Sequence, residues 1–73
     1  MARAAVIGEA TRTAGFALAG ATVLPAETQE EARAAWLSLP ADVAVVVLTP
    51  RTEASLGEAL RSRHDVLSVV MPP

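Results

Sequence analysis

The sequence predicts a small α/β domain: a doubly wound, four-stranded parallel sheet of order 2-1-3-4 with helices on both faces. Two observations support this prediction. Strand-like and helix-like segments alternate along the chain, and the strand-like segment 43–48 is continuously apolar, which is typical of a parallel strand covered on both faces. The chain has 73 residues, enough for one domain that spans 1–73.

The four strands follow from short apolar segments. Residues 3–7, 43–48 and 66–71 are predicted to be buried strands because apolar residues dominate them. Residues 21–24 form a weaker segment directly after a glycine, so we expect this strand at an edge of the sheet. Because strands and helices alternate, right-handed crossovers should connect all four strands.

The first and third helices are predicted from their ends. The first covers residues 11–19, and Gly20 follows it where a left-handed capping residue is favourable. The third begins at Thr49 and Pro50, with proline at the first helical position, where no N–H donor is needed. Its buried side chains are expected to be Leu56, Ala59 and Leu60.

The second helix has the strongest signals and is predicted over residues 28–39. Thr28 is the expected N-cap, and Glu31, three residues later, would complete a capping box. Pro40 ends the pattern. Trp36 falls on the apolar stripe, so we interpret it first as a core residue and second as a partner contact. The stripe comprises Ala32, Ala35, Trp36 and Leu39.

Charge and composition exclude several classes of function. Six arginines and eight acidic residues give a net charge of −2, which argues against binding to nucleic acid. The absence of cysteine excludes disulfides, thiolate metal sites and a cysteine nucleophile. The longest apolar run, Val43–Leu48, is far shorter than the roughly 20 residues that span a bilayer. We therefore expect a cytoplasmic protein without direct membrane insertion.

Ligands of such sheets bind where the strand order reverses, here between the first and third strands. A phospho-receiver needs an acidic pair, an aspartate and a lysine there, but the sequence offers only Glu9. Gly8 and Gly15 are too far apart for a dinucleotide loop. His64, in a polar connector, is the only histidine that a hydrolase could use. The crevice is therefore predicted to hold no catalytic residue, cofactor or metal. Its predicted lining is Gly8, Glu9, Ala10, Thr49, Pro50 and Arg51, with an ion pair between Glu9 and Arg51.

Several segments together resemble a known family. The stretches "AVIGE" and "GFALAG" are similar to the opening strand and first helix of the F subunit of V-type and archaeal-type rotary ATPases. The segment "EEARAAW" resembles its second helix, "VAVVVLTPRTEASL" its central strand-helix junction, and "VLSVVMPP" its closing strand. The resemblance covers nearly the whole chain and implies a four-stranded, receiver-like α/β fold.

The resemblance also implies a function. The F subunit is a rotor component of the central stalk, docks on the coiled coil of the D subunit within the catalytic A/B ring, and has no catalytic residues. Members usually continue into a C-terminal helical tail, which is absent from residues 1–73. From the exposed loops and the family, the candidate partner contacts are Leu24, Pro25, Glu27 and Arg51.

Two other functions remain open from the sequence. A free-standing receiver-like domain would bind a small ligand or an anion through residues 8–13 and 49–51. A fragment of a larger α/β enzyme would have low stability and no specific partner. The rotor component is the preferred interpretation because it accounts for both the segment order and a chemically empty crevice.

Overall fold

The computed structural model describes residues 3–63 and 65–72, and His64 lies outside them. The described residues form four strands, three α-helices and two 3₁₀ helices. In chain order they are β1 (Arg3–Gly8), α1 (Ala10–Thr13), the first 3₁₀ helix (Ala14–Ala19), β2 (Thr22–Pro25), α2 (Gln29–Leu37), β3 (Val43–Leu48), α3 (Pro50–Leu56), the second 3₁₀ helix (Gly57–Ser62) and β4 (Leu67–Val70).

The sheet has the predicted order, β2-β1-β3-β4, and all neighbouring strands are parallel. Its register decides which residues share a face, because paired residues of adjacent strands point to the same side. Val6 pairs with Val47, and Val47 pairs with Val69. On the opposite side, Ile7 pairs with Leu48, which pairs with Val70.

The main core lies between the sheet and the layer of α2 and α3. Trp36 and Leu56 are fully buried there against Ile7 and Leu48, so the interpretation of Trp36 as a core residue is confirmed. The indole Nε1 of Trp36 donates to the Ala59 carbonyl oxygen at 2.9 Å. The other members of the core are Ala5, Ala26, Ala32, Leu39, Val43, Val46 and Val66.

The opposite face of the sheet is covered by α1 and the first 3₁₀ helix, which pack against β1 and β2. Val6 and Thr13 are buried on this side. This division follows from handedness: the β1-to-β2 crossover runs in the direction opposite to the other two, so right-handed connections place its helix on the other face.

The ends of α2 differ slightly from the prediction. The Thr28 hydroxyl accepts from the Glu31 N–H at 3.1 Å, as expected of the N-cap. The Glu31 carboxylate accepts from the Glu27 N–H at 2.7 Å. The predicted capping box would have used the Thr28 N–H, so the donor lies one residue earlier than predicted. The helix ends at Leu37, yet Leu39 beyond it is still buried.

The third helix begins as predicted, with Thr49 as N-cap and Pro50 in the first turn. The prediction of one continuous helix through Leu60 is wrong, because Gly57 adopts φ 51° and ends α3. A residue with positive φ breaks the α-helical hydrogen-bond pattern, and glycine adopts positive φ at the lowest steric cost. The chain continues as the second 3₁₀ helix, in which Ala59 and Leu60 still pack against the core.

The predicted first helix, 11–19, is also divided. Only Ala10–Thr13 is α-helical, and Ala14–Ala19 is a 3₁₀ helix. Gly20 has φ 86°, which confirms the predicted left-handed cap. Glu9 occupies the N-cap position without a side-chain capping bond, because its carboxylate is engaged elsewhere. A single helical turn whose N-cap side chain makes no capping bond is not stable enough to extend into a longer α-helix.

The prediction that residues 66–71 form a buried strand is partly wrong. The strand covers Leu67–Val70 and occupies the edge of the sheet next to β3. All four residues are exposed, including Leu67 at 62%. Only Val66, just before the strand, is buried in the core. Neither helical layer reaches far enough to cover the edge strand.

Candidate partner-binding surface

The strand order reverses between β1 and β3, and their carboxyl ends meet at Gly8 and Thr49. A Cβ on Gly8 would lie 2.8 Å from Thr49 Oγ1 and closer still to Thr49 Cγ2. Any side chain at position 8 would therefore displace Thr49. Both residues are buried, so this contact closes the space between the two strand ends.

Glu9, Thr49 and Thr52 form a hydrogen-bonded group beside this contact. The Thr49 hydroxyl donates to the Glu9 carboxylate. Thr49 Oγ1 also lies 3.0 Å from Thr52 Oγ1 and accepts from the Thr52 N–H at 3.3 Å. One threonine thus caps α3 and joins it to the end of β1.

The hydrogen bond from Thr49 lowers the pKa of the Glu9 carboxyl group below its ordinary value of 4.5. Glu9's own backbone N–H also donates to it and lowers the pKa, and the positive charges of Arg51 and Arg12 act in the same direction. Partial burial opposes these effects. Glu9 is therefore held as a carboxylate by neighbouring donors in the fold.

The predicted ion pair between Glu9 and Arg51 does not form. Arg51 Nη2 donates instead to the backbone carbonyl of Glu27 at 2.9 Å. The partner of the Glu9 carboxylate is the neutral Thr49 hydroxyl. Charge alone suggested Arg51 as the partner, but the strand register brings Thr49 closer.

Glu27 joins two elements at the same edge. Its Oε2 accepts from the Ala10 N–H at 2.8 Å, so Glu27 caps α1 in place of Glu9. Its own N–H donates to Glu31 Oε1. Glu27 and Arg51 are both exposed, so they form a charged surface cluster whose hydrogen bonds also have a structural role.

The four predicted partner contacts therefore separate into two groups. Pro25, Glu27 and Arg51 are exposed at the carboxyl edge of the sheet. Leu24 is partly buried and packs against the core, so it offers less surface to a partner. Whether these residues touch another protein stays a prediction.

The carboxyl edge provides structural contacts rather than an open site. Among residues 3–63 and 65–72 there is no pocket and no group of three side chains that would ligate a metal. In the same part of the chain no helix is long and apolar enough to cross a membrane. The side chains that line the crevice hold β1, α1 and α3 together.

A different surface, which was not predicted from the sequence, is an apolar strip on the face that carries α1. We call Val45, Val47, Leu67 and Val69 the open strip. Exposure rises across this face away from α1: Val6 is 1% exposed, Val47 is partly buried and Val69 is 45% exposed. The alternation of strands and helices could have predicted this surface, because right-handed crossovers place only one of the three helical connections on this face.

Comparisons with known proteins agree with this fold. The profile of the ATP synthase (F/14-kDa) subunit family matches residues 4–72. The chain is similar to the crystal structure of the F subunit of the V-type ATP synthase from Archaeoglobus fulgidus, with 25% identity and a TM-score of 0.64. That match covers 97% of this chain and 98% of the other. No curated protein matches the sequence significantly.

Proposed function

The chain belongs to the ATP synthase (F/14-kDa) subunit family, and on this premise we propose that it is a non-catalytic rotor component in the central stalk of a V/A-type rotary ATPase. In this role it docks on the coiled coil of the D subunit. It thereby helps to couple ATP hydrolysis or synthesis at the A/B ring to the transport of protons or sodium ions. Its place is on the cytoplasmic side, peripheral to the membrane.

The observation that carries the proposal is the family match over residues 4–72. The likeness to the Archaeoglobus fulgidus protein, which this chain covers almost completely, supports the same assignment. Because sequence and fold point to one family over nearly the whole chain, a rotor component is favoured over a fragment of an unrelated α/β enzyme.

The contacts at the carboxyl edge support a non-catalytic role. The position where an α/β enzyme would bind its ligand is filled by Gly8 against Thr49 and by the hydrogen bonds of Glu9. Each of these groups is used to join elements of the fold. A small-ligand or anion-binding domain has no comparable support.

The decisive experiment is co-expression with the coiled-coil rotor protein from the same source, followed by size-exclusion chromatography. We expect a one-to-one complex and a melting temperature of this chain that rises on binding, since a partner that binds only the folded state stabilises it. An unrelated two-stranded coiled coil of similar length serves as the control.

Activity provides a second readout. The isolated chain should not hydrolyse ATP, whereas its addition to a complex that already contains the coiled-coil rotor protein should increase the ATP hydrolysis that is coupled to ion transport. If the two proteins elute separately at micromolar concentration, or if the isolated chain turns over ATP, the proposal is wrong.

A further inference from the structure

We infer that the open strip is the docking surface for one α-helix of the partner coiled coil, held with its apolar stripe against β3 and β4. The inference rests on the proposed function, because that function supplies a helical partner. It assigns the apolar part of the contact to a sheet face and leaves the charged cluster at the carboxyl edge as a separate candidate contact.

The chemistry of the open strip defines what can cover it. All four side chains are aliphatic, so they offer no hydrogen bonds or charges to a nucleic acid or an anion. Leu67 is 62% exposed and Val69 is 45% exposed, and both lie on the edge strand. Burying such side chains is favourable only against another apolar surface. An apolar helical stripe has this chemistry.

The dimensions of the open strip fit a single helix. Adjacent strands are about 4.8 Å apart, so the two-stranded strip and its borders measure roughly 10 Å across, close to the diameter of a helix. The four residues of β4 extend about 13 Å, which corresponds to about two helical turns. On the opposite face, β3 already lies under a helical layer, with Val46 and Leu48 fully buried. One further helix would complete the second layer.

The surroundings of the open strip extend the contact. Ala14 and Ala17 of the first 3₁₀ helix, which covers the β2 side of the same face, are exposed and small enough to allow a close approach. At the carboxyl end, Arg12 Nη2 donates to the Pro72 carbonyl oxygen at 2.8 Å, which places a positive charge just beyond β4. We therefore expect an acidic residue in the partner helix near Arg12.

The small area of the open strip argues against a second copy of this chain as the occupant. Its footprint of roughly 130 Å² is far below the ~800 Å² per partner that a stable interface of standard size buries. A long coiled coil can bury the additional area that a stable interface needs, because it also contacts neighbouring surfaces in the same complex. The open strip is then one apolar part of a larger interface.

The test uses charge substitutions on opposite sides of the molecule. Leu67→Glu and Val69→Glu should each weaken binding to the co-expressed coiled-coil protein at least tenfold in a titration. The matched control is Leu37→Glu on α2, an even more exposed leucine (74%) on the other face, which should change affinity less than twofold. If the variants of the open strip bind like the unmodified chain, or if Leu37→Glu causes the same loss, the inference is wrong.

A second measurement tests the inference without a charge substitution, in case a glutamate variant fails to fold. The chain has no cysteine, so a single Val69→Cys or Leu37→Cys substitution accepts one spin label. The label at position 69 should lose mobility when the partner is added, and the label at position 37 should not. The reverse pattern overturns the inference.

The two proposals fail in different ways. If the unmodified chain does not bind the coiled coil at all, the proposed function is wrong. If it binds but the label at position 69 stays mobile, the function stands and the docking surface lies elsewhere. Concentration-dependent self-association that Leu67→Glu abolishes would assign the open strip to a second copy and overturn the inference.

Discussion

Gly8 and Thr49 touch where β1 and β3 end, and the contact leaves no space for a Cβ on Gly8. It explains why a glycine ends the first strand and why a threonine follows the third. The glycine admits the threonine side chain, and the threonine hydroxyl then reaches the Glu9 carboxylate while it caps α3. The opening motif of the chain is therefore a structural joint.

Substitution of Gly8 by alanine tests this joint. Gly8→Ala should lower the free energy of unfolding by about 1–3 kcal/mol, because the added methyl group overpacks a buried site. Gly15→Ala is the control, since a Cβ there has no heavy atom within 4 Å, and it should not destabilise the fold. Urea denaturation measures both, and equal losses would contradict the assignment. Adding Thr49→Ser to Gly8→Ala should recover part of the stability because it removes the methyl group that clashes.

The lowered pKa of Glu9 predicts how stability depends on pH. Because the fold favours the carboxylate, Glu9 stabilises the protein above its ordinary pKa of 4.5, and this contribution is lost as the pH falls through the lower folded value. Glu9→Gln should therefore be less stable than the unmodified chain at pH 7, and the difference should shrink below pH 4.5. Urea midpoints across this range measure the effect.

The control for the pH experiment is Glu58→Gln, at an exposed position of the second 3₁₀ helix. A residual loss of stability at low pH should persist in Glu9→Gln, because Arg3 also lowers the pKa of Asp42 by a hydrogen bond. A difference between Glu9→Gln and the unmodified chain that grows as the pH falls would contradict the role of Thr49 as donor.

Trp36 should report on the core. As the only tryptophan, and fully buried, it should emit at short wavelength in the folded state and shift to longer wavelength on unfolding. Trp36→Phe should cost about 1–2 kcal/mol, for one lost hydrogen bond and some lost packing. The cost stays moderate because Ser62 Oγ also donates to the Ala59 oxygen at 2.6 Å. Leu37→Ala, on the exposed side of the same helix, should cost less than about 0.5 kcal/mol.

Arg51 tests the charged cluster at the carboxyl edge as a partner contact. Arg51→Ala should weaken the complex with the coiled-coil rotor protein three- to tenfold, as expected of an exposed polar contact at the rim of an interface. Arg61→Ala, at an exposed position of the second 3₁₀ helix, is the control and should have no effect. Titration of the purified chains measures both. Equal affinities for the two variants would remove Arg51 from the set of candidate contacts.

Much of the fold is predictable because the signals are local or follow from handedness. Thr28 and Thr49 cap their helices as expected because a hydroxyl needs only the next turn of its own helix as partner. The strand order follows from alternating elements and right-handed crossovers. The resemblance of the opening and closing segments to the rotary ATPase family is confirmed by the family match.

The missed features depend on contacts between distant parts of the chain. An apolar segment such as 66–71 indicates a strand but not how many layers cover it, so the exposure of β4 was not predicted. Glu27 caps α1 from another loop, which no local pattern indicates. The positive φ of Gly57 divides a segment whose apolar spacing continues across the break.

Unequal coverage of the sheet also sets the order in which its strands open. β1 is protected by neighbours on both edges and a helical layer on each face, whereas β4 has one neighbouring strand and four exposed side chains. Amide protons of β4 should therefore exchange with solvent through local opening, and those of β1 only through global unfolding. The least protected strand of the free chain is the one that carries half of the open strip. If a partner covers the open strip, the amide protons of β4 should exchange as slowly as those of the strands inside the sheet.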